Sequence, residues 1–186
     1  MKELEVFCRQ VRARSVEHQA AMQALRSLPG QMVAVLRQEL DSLVRVVFIL
    51  SQEDRGYRRR LIADSVAGAK WTHAESRRPI TDREMVELAD KLHGWTKSVY
   101  SFGCAFIHLS NLHDYQVRDP MDEIDGAERV AILSHLRYYH GGPIEESPKF
   151  SDVAPLIPSV LQKISSNLER YVIELEMAAT SDDDAV

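Results

Sequence analysis

The chain predicts an all-α fold, a single-domain antiparallel bundle of five or six helices, on three observations. Apolar residues recur at intervals of three and four along most of its length, so each segment presents one stripe to a core. Alternation of period two is missing, as are Asn-Gly or Asp-Gly turns between alternating runs; Asp125-Gly126 leads into a helical pattern instead. Capping residues punctuate the stripes where they begin and end. No internal repeat and no Pro-rich or Gly/Ser-rich linker divides the 186 residues, which predicts one domain.

In the first predicted helix Leu4, Phe7, Cys8, Val11, Ser15, His18, Met22 and Leu25 share a stripe that ends at Pro29-Gly30. His18 sits among apolar residues and reads as a packed, hydrogen-bonded core histidine. A second helix over 31–50 turns Val33, Leu36, Leu40, Leu43, Val44, Val47 and Leu50 inward. Val46, Phe48 and Ile49 widen that arc, as in a central helix contacted on several sides. Ser51 and Asp54 restart the chain into "RGYRRRLIADSVAG", a basic helix ending near Gly68, and 71–79 reads as a loop. Thr81 and Glu84 have capping-box spacing, and no proline interrupts the chain from there to Tyr115. A long helix is expected with Trp95, Val99, Phe102, Phe106 and Leu109 on its core face; His113 projects with that stripe as a buried histidine. Asp125 and Glu128 cap "RVAILSHLRYYH", which Gly141-Gly142-Pro143 terminates. The last helix starts near Pro155 or Pro158 and presents Val160, Ile164, Leu168, Tyr171 and Leu175. The bundle is expected over 1–179, with "SDDDAV" closing an acidic, disordered tail at 180–186.

The net charge of −5 conceals an asymmetry: residues 1–83 hold 15 Lys or Arg against 10 Asp or Glu, and residues 84–186 hold 8 against 18. Arg58 and Arg59, within "RGYRRR", belong to a basic surface suited to phosphate or to an acidic partner. The longest apolar run, "LVRVVFIL", is broken by Arg45 and falls short of the roughly 20 residues of a spanning helix, so no membrane association is expected. The opening "MKELEVFCRQVRAR" lacks a signal-like hydrophobic stretch, which predicts a cytoplasmic protein. Cys8 and Cys104, each in a helical pattern, read as reduced packed thiols.

On the expected long helix His93, Lys97, Tyr100, Cys104, His108, Asn111 and Tyr115 fall within an arc of about 80° opposite the aromatic stripe. A face of His, Tyr, Cys and Asn, in place of the usual Glu, Lys and Arg, suggests a cleft or an interface, with His108 and Asn111 as binding residues. Metal is not expected. His108 and His113 are five apart, as are His135 and His140, which turns each pair about 140° from one another, where helical ligand pairs stand three or four apart. Phosphate-cradling Gly-rich loops, Cys-x-x-Cys and Gly-x-Ser-x-Gly are all missing, and no cofactor is expected.

One stretch points to chemistry. "RVAILSH" places an arginine, five residues and then a histidine near the start of a late helix in an all-helical chain, and so resembles the ribonuclease motif of the HEPN superfamily. The resemblance implies a helical bundle that pairs with a second copy, bringing arginine and histidine together in a cleft between protomers. It implies metal-independent RNA cleavage by attack of the 2′-hydroxyl on the adjacent phosphorus, in a toxin or phage-defence setting with an antitoxin as partner. On that reading His135 moves the proton and Arg129 stabilises charge on the phosphoryl oxygens. Val130 follows the arginine where Asn, Asp or His is common in the family, a departure that also fits an inactive relative binding RNA or a protein. Arg129, Leu133, Leu136 and His140 share a stripe from which His135 points about 120° away, so His140, or Arg137 three residues before it, is an alternative partner. Tyr138 and Tyr139 have the character of base-stacking residues. A homodimer through the histidine- and tyrosine-bearing faces is expected. The competing class is a helical interaction or regulatory protein without chemistry.

Overall fold

A computed structural model describes residues 2–108 and 110–183, with side chains as far as residue 179. The fold is all-α. In chain order the helices are α1 (Lys2–Ala24), α2 (Pro29–Leu50), α3 (Arg55–Val66), α4 (Asp82–His93), α5 (Thr96–Ile107), α6 (Pro120–Glu123), α7 (Gly126–His140), α8 (Phe150–Val153) and α9 (Ile157–Asp183). Short 3₁₀ turns follow α5 and α8, at Asn111–Asp114 and Ala154–Leu156. Between α3 and α4 the chain doubles back through a single antiparallel bridge, Thr72 to Pro79.

α2 is the spine. Leu40, Leu43, Val44, Val46 and Ile49 are fully buried, and the helix is packed by α1, α4, α5 and α9. Each such side chain contributes about 1.5–3 kcal/mol of burial free energy, so apolar width around the α2 circumference is what organises the bundle. The expected caps form. Asp54 accepts from Tyr57 N at 3.0 Å, and Thr81 and Glu84 close a reciprocal box at the start of α4. α1 is bolted to α9 by Arg12, whose guanidinium binds Glu169 at 2.9 Å and Glu176 at 2.6 Å.

The long helix expected from Thr81 to Tyr115 is not continuous. Gly94 adopts a left-handed conformation with φ 71° and closes α4 by donating to the Asp90 carbonyl. The Asp90 carboxylate then receives Thr96 Oγ1 and Lys97 N, each at 3.1 Å, and α5 starts in a new direction. A glycine at this position serves as a C-terminal cap because it alone takes the left-handed region without a Cβ penalty. α5 itself ends at Ile107, and Ser110 caps the following turn by accepting from Leu112 N. The seven-residue polar arc is therefore dispersed over α4, α5 and the turn beyond it. His113 is exposed, not buried: its Nδ1 accepts from Ser110 N at 3.3 Å. Leu109 lies outside the described residues. The break also raises the number of helices above the expected five or six, since seven of those described have twelve residues or more. At the other end α9 runs through Asp183, so part of the stretch expected as a disordered tail is helical; 184–186 lie outside the described residues.

Candidate functional site

α7 carries the residues on which the functional reading turns. Asp125 caps it by accepting from Ala127 N at 2.9 Å and Glu128 N at 3.4 Å, and Gly141, with φ 72°, ends it. Leu133 and Leu136 are buried, and the helix packs on α5. Its remaining sides face two different hollows.

The first is a partly enclosed cavity of about 80 Å³ between α5, α7 and α9, floored by Val33 and Leu36 of α2. Phe102, Val99, Leu136, Val160 and Ile164 make its walls apolar, while His135, Tyr139, His140 and Lys163 stand among the lining residues as the polar groups of α7 and α9. His140 Nδ1 lies 3.1 Å from Ser159 Oγ, which also bonds the Leu156 carbonyl at 2.8 Å. Because the serine has a single proton and gives it to the carbonyl, the imidazole donates from Nδ1, and in the neutral ring Nε2 is then the acceptor. Burial, and after it the Lys163 charge, holds His140 below its ordinary value. Lys163 is itself lowered by burial; its ammonium sits over the Tyr139 ring, 2.8 Å from the centroid. The His135 ring lies nearly parallel to that of Tyr139 at 6.3 Å, and its Nδ1 is buried with no hydrogen-bond partner. Next to this group His93 Nε2 meets Tyr171 Oη at 3.2 Å; burial, Arg170 and Lys163 lower its affinity for a proton.

The second hollow is a shallow groove lined by Arg129, Val130, Leu133, Arg137 and Tyr138. Arg129 pairs with Asp122 at 3.2 Å. Arg137 donates to the Pro143 carbonyl at 3.0 Å and the Glu145 carbonyl at 2.6 Å, which ties down the chain leaving α7. Arg129 and His135 are six positions apart, about 120° around the helix and about 9 Å along it. Within one protomer the two line different hollows.

The other sequence-predicted residues are elsewhere. His108 is exposed just past α5, and Asn111 donates to Glu123 at 3.0 Å, joining the 3₁₀ turn to α6. Arg58 is half-buried and Arg59 exposed on α3, which packs on α1 and α2. The structure thus gathers His135, Tyr139 and His140, and leaves Arg129, Arg137 and Tyr138 on another face of α7. Sequence reasoning missed Lys163 and Ser159. Lys163 could have been found, since it falls three residues after Val160 and one before Ile164, on the border of the inward stripe of α9.

A second arginine-to-histidine spacing, Arg12 to His18, is structural. Arg12 is held by Glu169 and Glu176, while His18 Nδ1 donates to the fully buried Glu39 at 2.7 Å. Ser15 and Ser165 donate to the other Glu39 oxygen, Ser165 at 2.7 Å. Cys8, nearby on α1, is pushed up to about 12 by burial and then by Glu176, and so stays a thiol. Among the described residues no cluster of three or more His, Cys, Asp or Glu is arranged to hold a metal ion, and no helix is long and apolar enough to cross a membrane. No protein-family model, curated protein or solved structure matches the chain.

Proposed function

We propose that the protein is a non-catalytic helical binding protein of the regulatory kind, which takes a small ligand into the cavity between α5, α7 and α9. One observation carries this reading: an apolar hollow is ringed by polar groups that the fold does not fully satisfy, with His135 Nδ1 buried and unpartnered. Small-molecule sites have this construction, mostly apolar walls with a few convergent polar groups that orient the ligand. The test is thermal unfolding of the full chain with and without 1-butanol, a neutral probe with a short unbranched tail. The alcohol raises the midpoint of the wild type, and Val160→Trp, which fills the hollow, abolishes the rise. An equal rise in both proteins would place the probe elsewhere and remove the reading.

A second reading follows from the groove. Val130 and Tyr138, which line the groove with Arg129, are 68% and 80% exposed, an apolar face suited to a second copy of the chain. Self-association there would set Arg129 of one copy beside α7 of the other. This supports a HEPN-like ribonuclease of a toxin or phage-defence system, or an inactive relative that binds RNA or an antitoxin-like partner. Incubation of the purified protein with total RNA and EDTA decides between the readings. Cleavage abolished by both Arg129→Ala and His135→Ala establishes the nuclease; intact RNA leaves the binding protein.

A further inference from the structure

We infer that the cavity binds a short-chain aliphatic carboxylate, its tail between α5 and α7 and its head ion-paired with Lys163. The inference rests on the binding reading above and adds the ligand's chemical class.

It starts from a cation without an anion. Lys163 forms no salt bridge among the described residues, although most arginines of the chain that face a neighbour find a carboxylate. Its surroundings are neutral or cationic: the Tyr139 ring, His140, and beyond them His93 and Arg170. The carboxylate that acts on His93, that of Asp90, is turned into the α4–α5 corner, where Thr96 and Lys97 occupy it, and among the described residues no Asp or Glu lines the cavity. The ring face beneath the ammonium recovers part of the lost hydration. A carboxylate would replace this with a charge-assisted hydrogen bond in a partly enclosed site.

The size and sign of the ligand follow from the same residues. Burial and the Lys163 charge disfavour a proton on His140, whose Nδ1 is committed to Ser159, and Lys163 is the one Lys or Arg among the described lining residues. A singly charged head matches it, whereas a phosphate dianion would bring a second charge against apolar walls with nothing to pair it. The His135 ring, with Nδ1 unsatisfied, supplies a second polar contact. The cavity of about 80 Å³ is smaller than the roughly 150 Å³ that holds benzene, so the tail is short and unbranched.

The experiment is calorimetric titration of the full chain near neutral pH with butanoate, hexanoate and octanoate, each against its primary alcohol, for wild type, Lys163→Met and Lys163→Arg. The wild type binds a short acid about tenfold more tightly than the matching alcohol. Lys163→Met removes that preference while keeping the alcohol's affinity, and Lys163→Arg retains it. Equal binding of acid and alcohol by the wild type overturns the carboxylate assignment but leaves the cavity reading standing. Binding of neither overturns both. A preference that survives in Lys163→Met shows the head group pairs elsewhere, and the assignment fails.

Discussion

Two histidine-bearing regions meet α9 on different sides, and they are built differently. At one, His18 of α1, Ser15 of α1 and Ser165 of α9 all donate to Glu39 of α2, and every partner in the cluster is matched. At the other, His135 keeps a buried nitrogen unpaired and Lys163 has only an aromatic face. Ser165 and Lys163 are two positions apart, about 200° around the helix, so one helix serves both regions with different faces. The difference teaches how to read a histidine in an apolar stripe. Where serines and a carboxylate from other helices complete it, the histidine is a fastening; where they do not, its ring nitrogen is left open to a water or a ligand.

The largest test of that comparison is Glu39→Ala. It strips three donors of their acceptor inside the core and is expected to destabilise the fold by on the order of 3 kcal/mol, read from urea unfolding. The same cluster has a pH signature. Burial alone raises the Glu39 carboxyl, but the hydrogen bonds from His18, Ser15 and Ser165 together outweigh it and leave the folded-state value below the ordinary 4.5. Its stabilisation is therefore complete above that value and is lost as pH falls through the lower folded value. His140 at the cavity and His93 beside it act in a separate window. His140 and His93 are held below 6.5, so the unfolded chain takes up their protons first and stability declines as pH drops from 6.5 toward their folded values. Unfolding free energies measured across this range should show two declines, of which Glu39→Gln removes only the more acidic one.

Gly103→Ala comes next. A Cβ there would lie 2.6 Å from Arg37 Cβ, the root of that side chain, and not its flexible end. Arg37 is buried and lies over the Tyr100 ring at 4.1 Å, so it has no free direction in which to move. Overpacking of about 1–3 kcal/mol should exceed the roughly 1 kcal/mol of helix propensity that alanine adds. A neutral result would mean that α5 can slide on α2, and the cavity wall would not be rigid. Asp125→Ala, which deprives Ala127 N and Glu128 N of their cap, should cost about 1 kcal/mol and fray the start of α7.

How much of this was legible depends on how local its cause is. The caps at Asp54, Thr81 and Asp125 and the stop at Gly141 are short-range chemistry and stand in the sequence where the structure has them. The Gly94 break was missed because proline was treated as the interrupter, while "KLHGWT" carries the basic last turn and glycine of a helix end. Its second half, an Asp90 carboxylate reaching Lys97 N seven residues on, exists only once the chain has turned. Glu39 was missed for a different reason: an acid on an apolar helix reads as solvent-facing until residues 24 and 126 positions away converge on it. The site was half legible. His135, Tyr139 and His140 share a helix and could be singled out together, whereas the cation that completes them comes from α9.

Lys163→Met carries the comparison to smaller effects and reverses its sign. Removing a cation that burial disfavours should leave stability unchanged or raised by less than about 1 kcal/mol, while abolishing the preference for a carboxylate. A loss comparable to that of Glu39→Ala would show that Lys163 is a fastening as well, and the two regions would no longer differ in kind.

The smallest expected effect belongs to Arg129→Ala, and it separates the two faces of α7. The Arg129–Asp122 pair is partly exposed, with 70% of the aspartate side chain accessible, and such pairs contribute about 0–1 kcal/mol. Unfolding should shift by less than about 0.5 kcal/mol, with a similar small change for Asp122→Ala and no coupling beyond that in the double mutant. Carboxylate affinity should be untouched, because Arg129 lines the groove and not the cavity. An Arg129→Ala protein that loses ligand affinity as Lys163→Met does would join the two hollows through α7, and a self-associated form in which one copy's arginine reaches the other's cavity would then be the arrangement to solve.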